Sequence, residues 1–172
     1  MLMVDITSSV YQVLKQMSRL DCWFFPLLKI TDEKNMAEKR LTSIIAKLRD
    51  AGLRPTRQRI ALAKLMFMSG DRHVSAEMLH NEAVQARVSV SLATVYNTLH
   101  QFTQAGLLRE IAIDAGRSYF DTNMSDHHHF YFESDGHLED ISSEDVVVSS
   151  LPLPPKGVRI SRVDVVVRVR ED

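Results

Sequence analysis

The stretch from Val90 to Gly106 leaves this chain the fewest options. Leu92, Val95, Leu99 and Phe102 recur every three or four residues, so the stretch is expected to form an amphipathic helix. Ser91 is placed to cap its start by accepting a bond from an amide that the first turn leaves free. Gly106 stands where a left-handed residue can end it. The opposite face carries Ala93, Thr94, Tyr96, Asn97, His100 and Gln101. That face is small, polar and uncharged at its N-terminal end, where a solvated helix usually carries Lys and Glu. Such an end, with open amides behind it, suits a DNA major groove. A plain core helix would share the stripe, so the flanking segments decide.

Upstream, Leu41, Ile44, Ile45 and Leu48 form a helical stripe that should end at Gly52. Pro55 and Thr56 open a second helix with Thr56 as cap, and Ile60, Ala63 and Phe67 as its apolar face. Ser69-Gly70-Asp71 breaks it. Ser75 caps a third helix with Glu77 in its first turn and Met78, Leu79 and Val84 as apolar positions. A short link, Arg87 to Val90, leads to the helix at Val90. Two helices across a short turn, the second with a polar N-terminal face, predict a helix-turn-helix. Leu107 to Ile113 is strand-like, Asp114-Ala-Gly116 is turn chemistry, and Arg117 to Asp121 returns. That hairpin is a wing.

Beyond Asp121 the pattern changes. Phe130–Glu133, Leu138–Ile141 and Val158–Arg170 read as strands. From Val163 to Arg170 the odd positions are all Val and the even ones mostly charged, which predicts one buried and one solvated face. Leu151-Pro-Leu-Pro-Pro155 is a rigid connector. So few short strands make a thin core that usually needs a partner, so this part is expected to dimerise. The fold class is therefore mixed α and β. A winged helix-turn-helix domain over 36–121 is followed by a hinge and a small α/β dimerisation domain over 122–172. Residues 1–35 are expected to be an extension or the product of an upstream start codon. Within it Ser9–Leu20 is a candidate short helix, and Cys22–Leu28 is an apolar knot.

Charge follows the same division. Residues 36–106 hold ten Lys and Arg against five Asp and Glu, and residues 107–172 hold seven against thirteen. The formal net charge of −1 hides this. A basic half suits nucleic acid. Lys39, Arg40, Lys47, Arg49, Arg54, Arg57 and Arg59 could reach phosphates. A single cysteine among 172 residues rules out an intrachain disulfide and fits a reducing compartment. No apolar run suits a membrane span, and the start does not resemble a secretory signal.

Asp126-His127-His128-His129 lies between wing and sheet. Alternation puts His127 and His129 on one face and His128 on the other. Imidazoles suit a divalent transition metal or haem iron. Asp121, Asp140, His137 and His73 are the nearby ligand-type residues. A His-rich polar hinge without a ligand is the alternative.

From Met36 to Asp172 the chain resembles the ferric uptake regulator family. The resemblance rests on Gly52–Arg59, His73–Glu77, Ser91–Tyr96 and the His-rich hinge, in that family's order. Asp121–Asn123, Ser125–Phe130 and Arg162–Arg168 are similar to one branch, the iron response regulators of the alpha-proteobacteria. The resemblance implies a regulatory metal site at His73, Asp121, His127, His129 and Asp140, taking iron, manganese or zinc. His128 falls at a second site, whose other ligands seen in the family are replaced by Val147 and Val163, so that site is expected to be absent. A structural zinc held by four cysteines is not expected, because Phe132 and Asp135 occupy the first Cys pair. The branch associates the His triplet with haem, which makes His127, His128 and His129 candidate haem ligands. Its Cys-Pro haem motif does not carry over, since Trp23 follows Cys22.

The function implied is a cytoplasmic, homodimeric or higher-order DNA-binding transcriptional regulator of iron homeostasis and haem synthesis, active in low iron and silenced by haem. It would bind AT-rich double-stranded promoter DNA, with Ala93, Thr94, Tyr96 and Asn97 at base edges and Arg57 on phosphate. It would not be an enzyme or touch a membrane. A repressor of the same fold that senses a free divalent ion is the first rival, separated by haem against metal titration. A metalloenzyme with a two-His, one-carboxylate triad or a haem carrier are rivals from other classes, and both leave the basic half unexplained.

Overall fold

The computed structural model describes residues 21–114 and 116–170, with side chains from residue 35 onward. The chain divides into two compact units, residues 1–46 and 47–172, and the division falls within helix α1 (Asp21–Asp50). The apolar run Cys22–Leu28 lies on α1, and the expected division at residue 36 falls inside the same helix. The helix considered over Ser9–Leu20 lies outside the described residues. Ile44 and Leu48 are buried, as their spacing requires. Gly52 ends α1 with φ +75. Its amide donates to Arg49 O at 2.9 Å and that of Leu53 to Leu48 O at 2.8 Å, which satisfies two carbonyls of the last turn.

In the second unit, α2 (Arg57–Phe67) starts at Thr56, whose hydroxyl accepts from Arg59 N. Its buried face is Leu62, Ala63 and Met66. The expected face of Ile60, Ala63 and Phe67 is thus rotated, and Phe67 instead sits under the ammonium of Lys47, 4.0 Å away. Helix α3 (Ala76–Gln85) is capped by Ser75 as expected. It buries Ala76, Leu79 and Ala83 and leaves Met78 and Val84 exposed. Two alanines beside Leu79 let α3 lie close to its neighbours, while Met78 and Val84 are turned outward. Helix α4 (Leu92–Gln104) begins at Ser91, whose Oγ accepts from Thr94 N, and ends before Gly106 at φ +70. Val95, Leu99 and Phe102 are fully buried, while Leu92 lies at the rim. Burying three such side chains stabilises the packing by roughly 2 kcal/mol each.

The wing carries a strand that periodicity did not reveal. β1 (His73–Val74) pairs antiparallel with β3 (Arg117–Asp121), and β3 pairs with β2 (Arg109–Asp114), in the order β1-β3-β2. β2 starts at Arg109, two residues later than expected. The second sheet has the order β5-β4-β6, from β4 (His127–Phe132), β5 (Leu138–Ser142) and β6 (Val166–Val169). β5 is antiparallel to β4, and β6 is parallel to it. The mixed α and β class is the one observed.

Two expectations about this sheet need correction. The first strand starts at His127 rather than Phe130, so the His triplet is sheet and not a free hinge. The last strand holds only four residues, and its Val side is only partly buried: Val163, Val165 and Val169 are half-buried and Val167 is exposed. Residues 158–165 of the expected strand precede β6 and lie outside it.

The two sheets share a core. Ile111, Ile113 and Tyr119 of the wing pack with Tyr131 and Leu138, and Val166 packs against them. The Tyr119 hydroxyl donates to Gly136 O. Gly136 has φ +76, and a Cβ there would meet the Tyr119 hydroxyl at 3.1 Å. Gly136→Ala is expected to cost about 1–2 kcal/mol, from the left-handed backbone and this close approach. Urea midpoints of parent and variant measure it, and equal midpoints would show that the turn can relax.

Candidate metal centre

Strand pairing assembles the site. Register sets His73 opposite Asp121 in the wing sheet and His129 opposite Asp140 in the second sheet. Period-two alternation turns His127 and His129 to one buried face. Ligand atoms of His73, His127, His129 and Asp140 all lie within 4.8 Å of one another. His127 Nε2 is 3.0 Å from His129 Nε2, and His73 Nε2 is 2.9 Å from Asp140 Oδ1. Asp121 Oδ2 lies 3.0 Å from His127 Nε2 and 3.7 Å from His129 Nε2, with Asp121 Oδ1 3.6 Å from His73 Nε2. The five residues expected from sequence are therefore together.

The donor set fits a divalent ion. Ligands about 2.1 Å from a tetrahedral metal stand roughly 3.4 Å apart, which is the scale of these separations. His73 Nε2, Asp121 Oδ2 and His129 Nδ1 are buried with no hydrogen-bond partner. Buried polar atoms are rarely left so, and an ion among them would engage the two that face the cluster. Three imidazoles with carboxylates and no thiolate suit iron, manganese, zinc or cobalt. Burial lowers the His73 pKa, against the pull of Asp121 and Asp140, which keeps its ring in the neutral, ligating form. Burial alone would raise the Asp121 pKa, but the neighbouring imidazoles of His129, His73 and His127 and the bond from the Asn123 amide outweigh it and hold the pKa below its ordinary value. His73 also lines a groove of about 330 Å³ with Asp71, Arg72 and His137.

His128 and His137 stand apart. His128 Nδ1 accepts from the Val165 amide at 3.3 Å on the other face of β4. His137 stacks on Phe132 with ring centroids 4.0 Å apart and is held by Asp135, which raises its pKa. Sequence reasoning missed two supporting residues. Asn123 gives its amide to Asp121 Oδ1 at 2.7 Å and its side chain to Asp140 Oδ2 at 2.9 Å, so it orients both carboxylates. Arg109 lies behind His127. The turn chemistry of Asp-Thr-Asn hints at the first, and nothing local marks the second.

On the helix-turn-helix, Ala93 and Asn97 are exposed, and Thr94 and Tyr96 half-exposed. The Tyr96 hydroxyl donates to Glu77 at 2.6 Å, which lowers the Glu77 pKa and raises that of Tyr96. Arg57 is exposed beside a cleft with Gln58, Val88 and Ser89. Arg59 is not free for phosphate: Nε and Nη2 grip Gln101 at 3.0 and 2.7 Å, and Nη1 donates to Arg54 O. It braces α4 against α2.

A winged helix with a polar-faced α4, joined to a buried cluster of metal-ligand side chains, defines a metal-responsive transcription regulator. Residues 50–167 match the ferric uptake regulator family. The ferric uptake regulation protein of Bordetella parapertussis is 34% identical over 102 residues, which cover 59% of this chain and 73% of that protein. The structure of the ferric uptake regulator from Pseudomonas aeruginosa with manganese is 27% identical, with a TM-score of 0.56, over 73% of this chain and 96% of that one. The Vibrio cholerae ferric uptake regulator, 22% identical with a TM-score of 0.59 over 73% and 98%, shows the fold alone. The chain belongs to the ferric uptake regulator family, whose members are transcription regulators and not enzymes.

Proposed function

We propose that this protein is a cytoplasmic, dimeric, DNA-binding regulator of iron homeostasis whose metal centre sets the placement of its winged helices. The carrying observation is the cluster itself, which draws one imidazole and one carboxylate from the wing sheet and the rest from the second sheet. The ligands would be His73, Asp121, His127, His129 and Asp140. An ion there would brace the wing against the second sheet beside the core they share, and its loss would loosen that brace. The manganese in the Pseudomonas aeruginosa protein favours a divalent ion of this kind. The winged helix is assigned to 36–121 and the dimerising part to 122–172. No described helix is long and apolar enough to cross a membrane.

DNA is read by α4, with Ala93, Thr94, Tyr96 and Asn97 at base edges and Arg57 at phosphate. With its proton given to Glu77, the Tyr96 oxygen can only accept, so its base-edge partners are adenine or cytosine amino groups. Binding to AT-rich promoter duplex should weaken steeply with salt, with a log–log slope on the order of −5. Tyr96→Ala should lose about tenfold on that duplex and little on random DNA. Equal losses on both would remove α4 from the reading role.

The finer assignment, to the iron response regulators, rests on Asp121–Asn123, the His-His-His run within Ser125–Phe130, and Arg162–Arg168. In that reading the protein acts in low iron and haem silences it through His127, His128 or His129. His127 and His129 are buried and face the cluster, while His128 is half-buried. Through His127 or His129, haem iron would have to draw an imidazole out of the cluster, so haem and divalent metal would compete, whereas through His128 they would not. Promoter binding with and without haem, at fixed manganese, tests this. Affinity that haem leaves unchanged leaves the free ion as the signal.

A further inference from the structure

His127 presents Nε2 to the cluster, and Nδ1, across the ring, meets a different set of atoms. Ser125 O lies 2.9 Å from Nδ1, and Arg109 Nη1 lies 3.0 Å from it. Arg109 opens β2, and although permanently charged it is only 7% exposed. Its Nη1 donates to Ser125 O at 2.8 Å, and its Nη2 to Asp164 Oδ1 at 2.8 Å and His127 O at 3.4 Å. Asp164 Oδ1 also accepts from Arg162 Nε at 2.7 Å, and Arg162 Nη2 is 3.2 Å from Asp126. Next to them, the His129 amide donates to Val165 O at 3.0 Å. The segment 162–165 is thus fastened along Asp126–His129, and Arg109 joins it to the wing.

Metal binding at Nε2 needs its lone pair, so the ring proton must sit on Nδ1 and donate to Ser125 O. A carbonyl oxygen has two lone pairs, and Arg109 takes the other. The guanidinium is a planar fork, so one group can hold Ser125 O, His127 O and Asp164 in fixed relation. We infer that Arg109 is a positioning residue of the metal centre, holding His127 in ligating orientation and linking it to the C-terminal segment through Asp164. The inference rests on the metal-centre reading above.

Cobalt(II) titration of the full chain, followed by the visible d–d absorption, tests it, with thermal midpoints of the metal-free proteins measured alongside. Arg109→Gln should bind cobalt at least tenfold more weakly and change the band shape. Arg109→Lys keeps the charge without the fork and should not restore the parent spectrum. Asp164→Asn should lose about threefold, and the double variant should be no weaker than Arg109→Gln alone, because Asp164 acts through Arg109. Parent-like affinity and spectrum in Arg109→Gln, or losses that multiply in the double variant, would overturn the inference. If Arg109→Gln does not fold, Asp164→Asn decides, and a parent-like result there overturns it. A parent chain that takes up no cobalt would sink the metal-centre reading itself.

Discussion

Replacing both His127 and His129 with alanine is expected to weaken divalent-metal binding by more than a hundredfold. Each supplies an Nε2 to the cluster, and their loss leaves one imidazole and two carboxylates. Removing an outer partner alone costs 10–100-fold, so removing two ligands costs more. The change also strips Asp121, which is fully buried, of two of its imidazole neighbours. A buried charge deprived of its partners destabilises the fold by about 3 kcal/mol, so the metal-free variant should melt earlier. DNA affinity of the variant should stay within about threefold of that of the metal-free parent, because the groove-facing residues lie on α4 and share no partner with β4. The haem response should vanish in this variant and persist in Cys22→Ala. A tenfold haem effect needs only about 1.4 kcal/mol of preference between two arrangements. Loss of the haem response in Cys22→Ala alone would move the haem ligand away from β4.

How far the sequence predicts this site depends on how local each signal is. Ser75, Ser91, Thr56, Gly52 and Gly106 act within one helical turn, and each caps or ends its helix as read. Alternation along β4 is equally local, so the shared face of His127 and His129 was legible. His73 was placed by resemblance, because a two-residue strand has no periodicity of its own. Only its pairing with β3 brings it to Asp121. Arg109 reads as one more surface cation, and its burial depends on partners 16 to 55 residues away. The apolar face of α2 is turned from Ile60 and Phe67 to Leu62 and Met66, and on α3 small side chains take buried positions where the pattern favours large ones. Close helix packing selected Ala76 and Ala83, and left Met78 and Val84 outside. The Val alternation from Val163 is real, but only Val166–Val169 find a partner strand in β4.

Acidification should release the metal before it unfolds the protein. Three neutral imidazoles are needed, and each proton that must leave on binding adds one to the slope of log affinity against pH. As pH falls through the folded pKa of His73, which lies below 6.5, affinity should therefore fall by about tenfold per pH unit on account of this ring. Burial lowers the folded pKa of His73, so this ring holds its ligating form to lower pH than a free histidine. The same shift sets the sign of stability. Below pH 6.5 the unfolded chain binds a proton at His73 that the folded chain resists, so stability falls as pH falls. Asp121 acts in the same direction at lower pH. Its folded pKa lies below the ordinary 3.8, so its contribution is complete above that value and is lost as pH drops through the folded pKa. Two steps are expected on descending pH: metal release with a modest loss of stability below pH 6.5, then a further loss below 3.8 as Asp121 takes up its proton. Manganese or cobalt titrations at stepped pH, paired with thermal melts of the metal-free chain, resolve them. His73→Gln should lower the slope of the first step by about one and leave the second in place. A slope that His73→Gln leaves unchanged would mean that this ring is not a ligand.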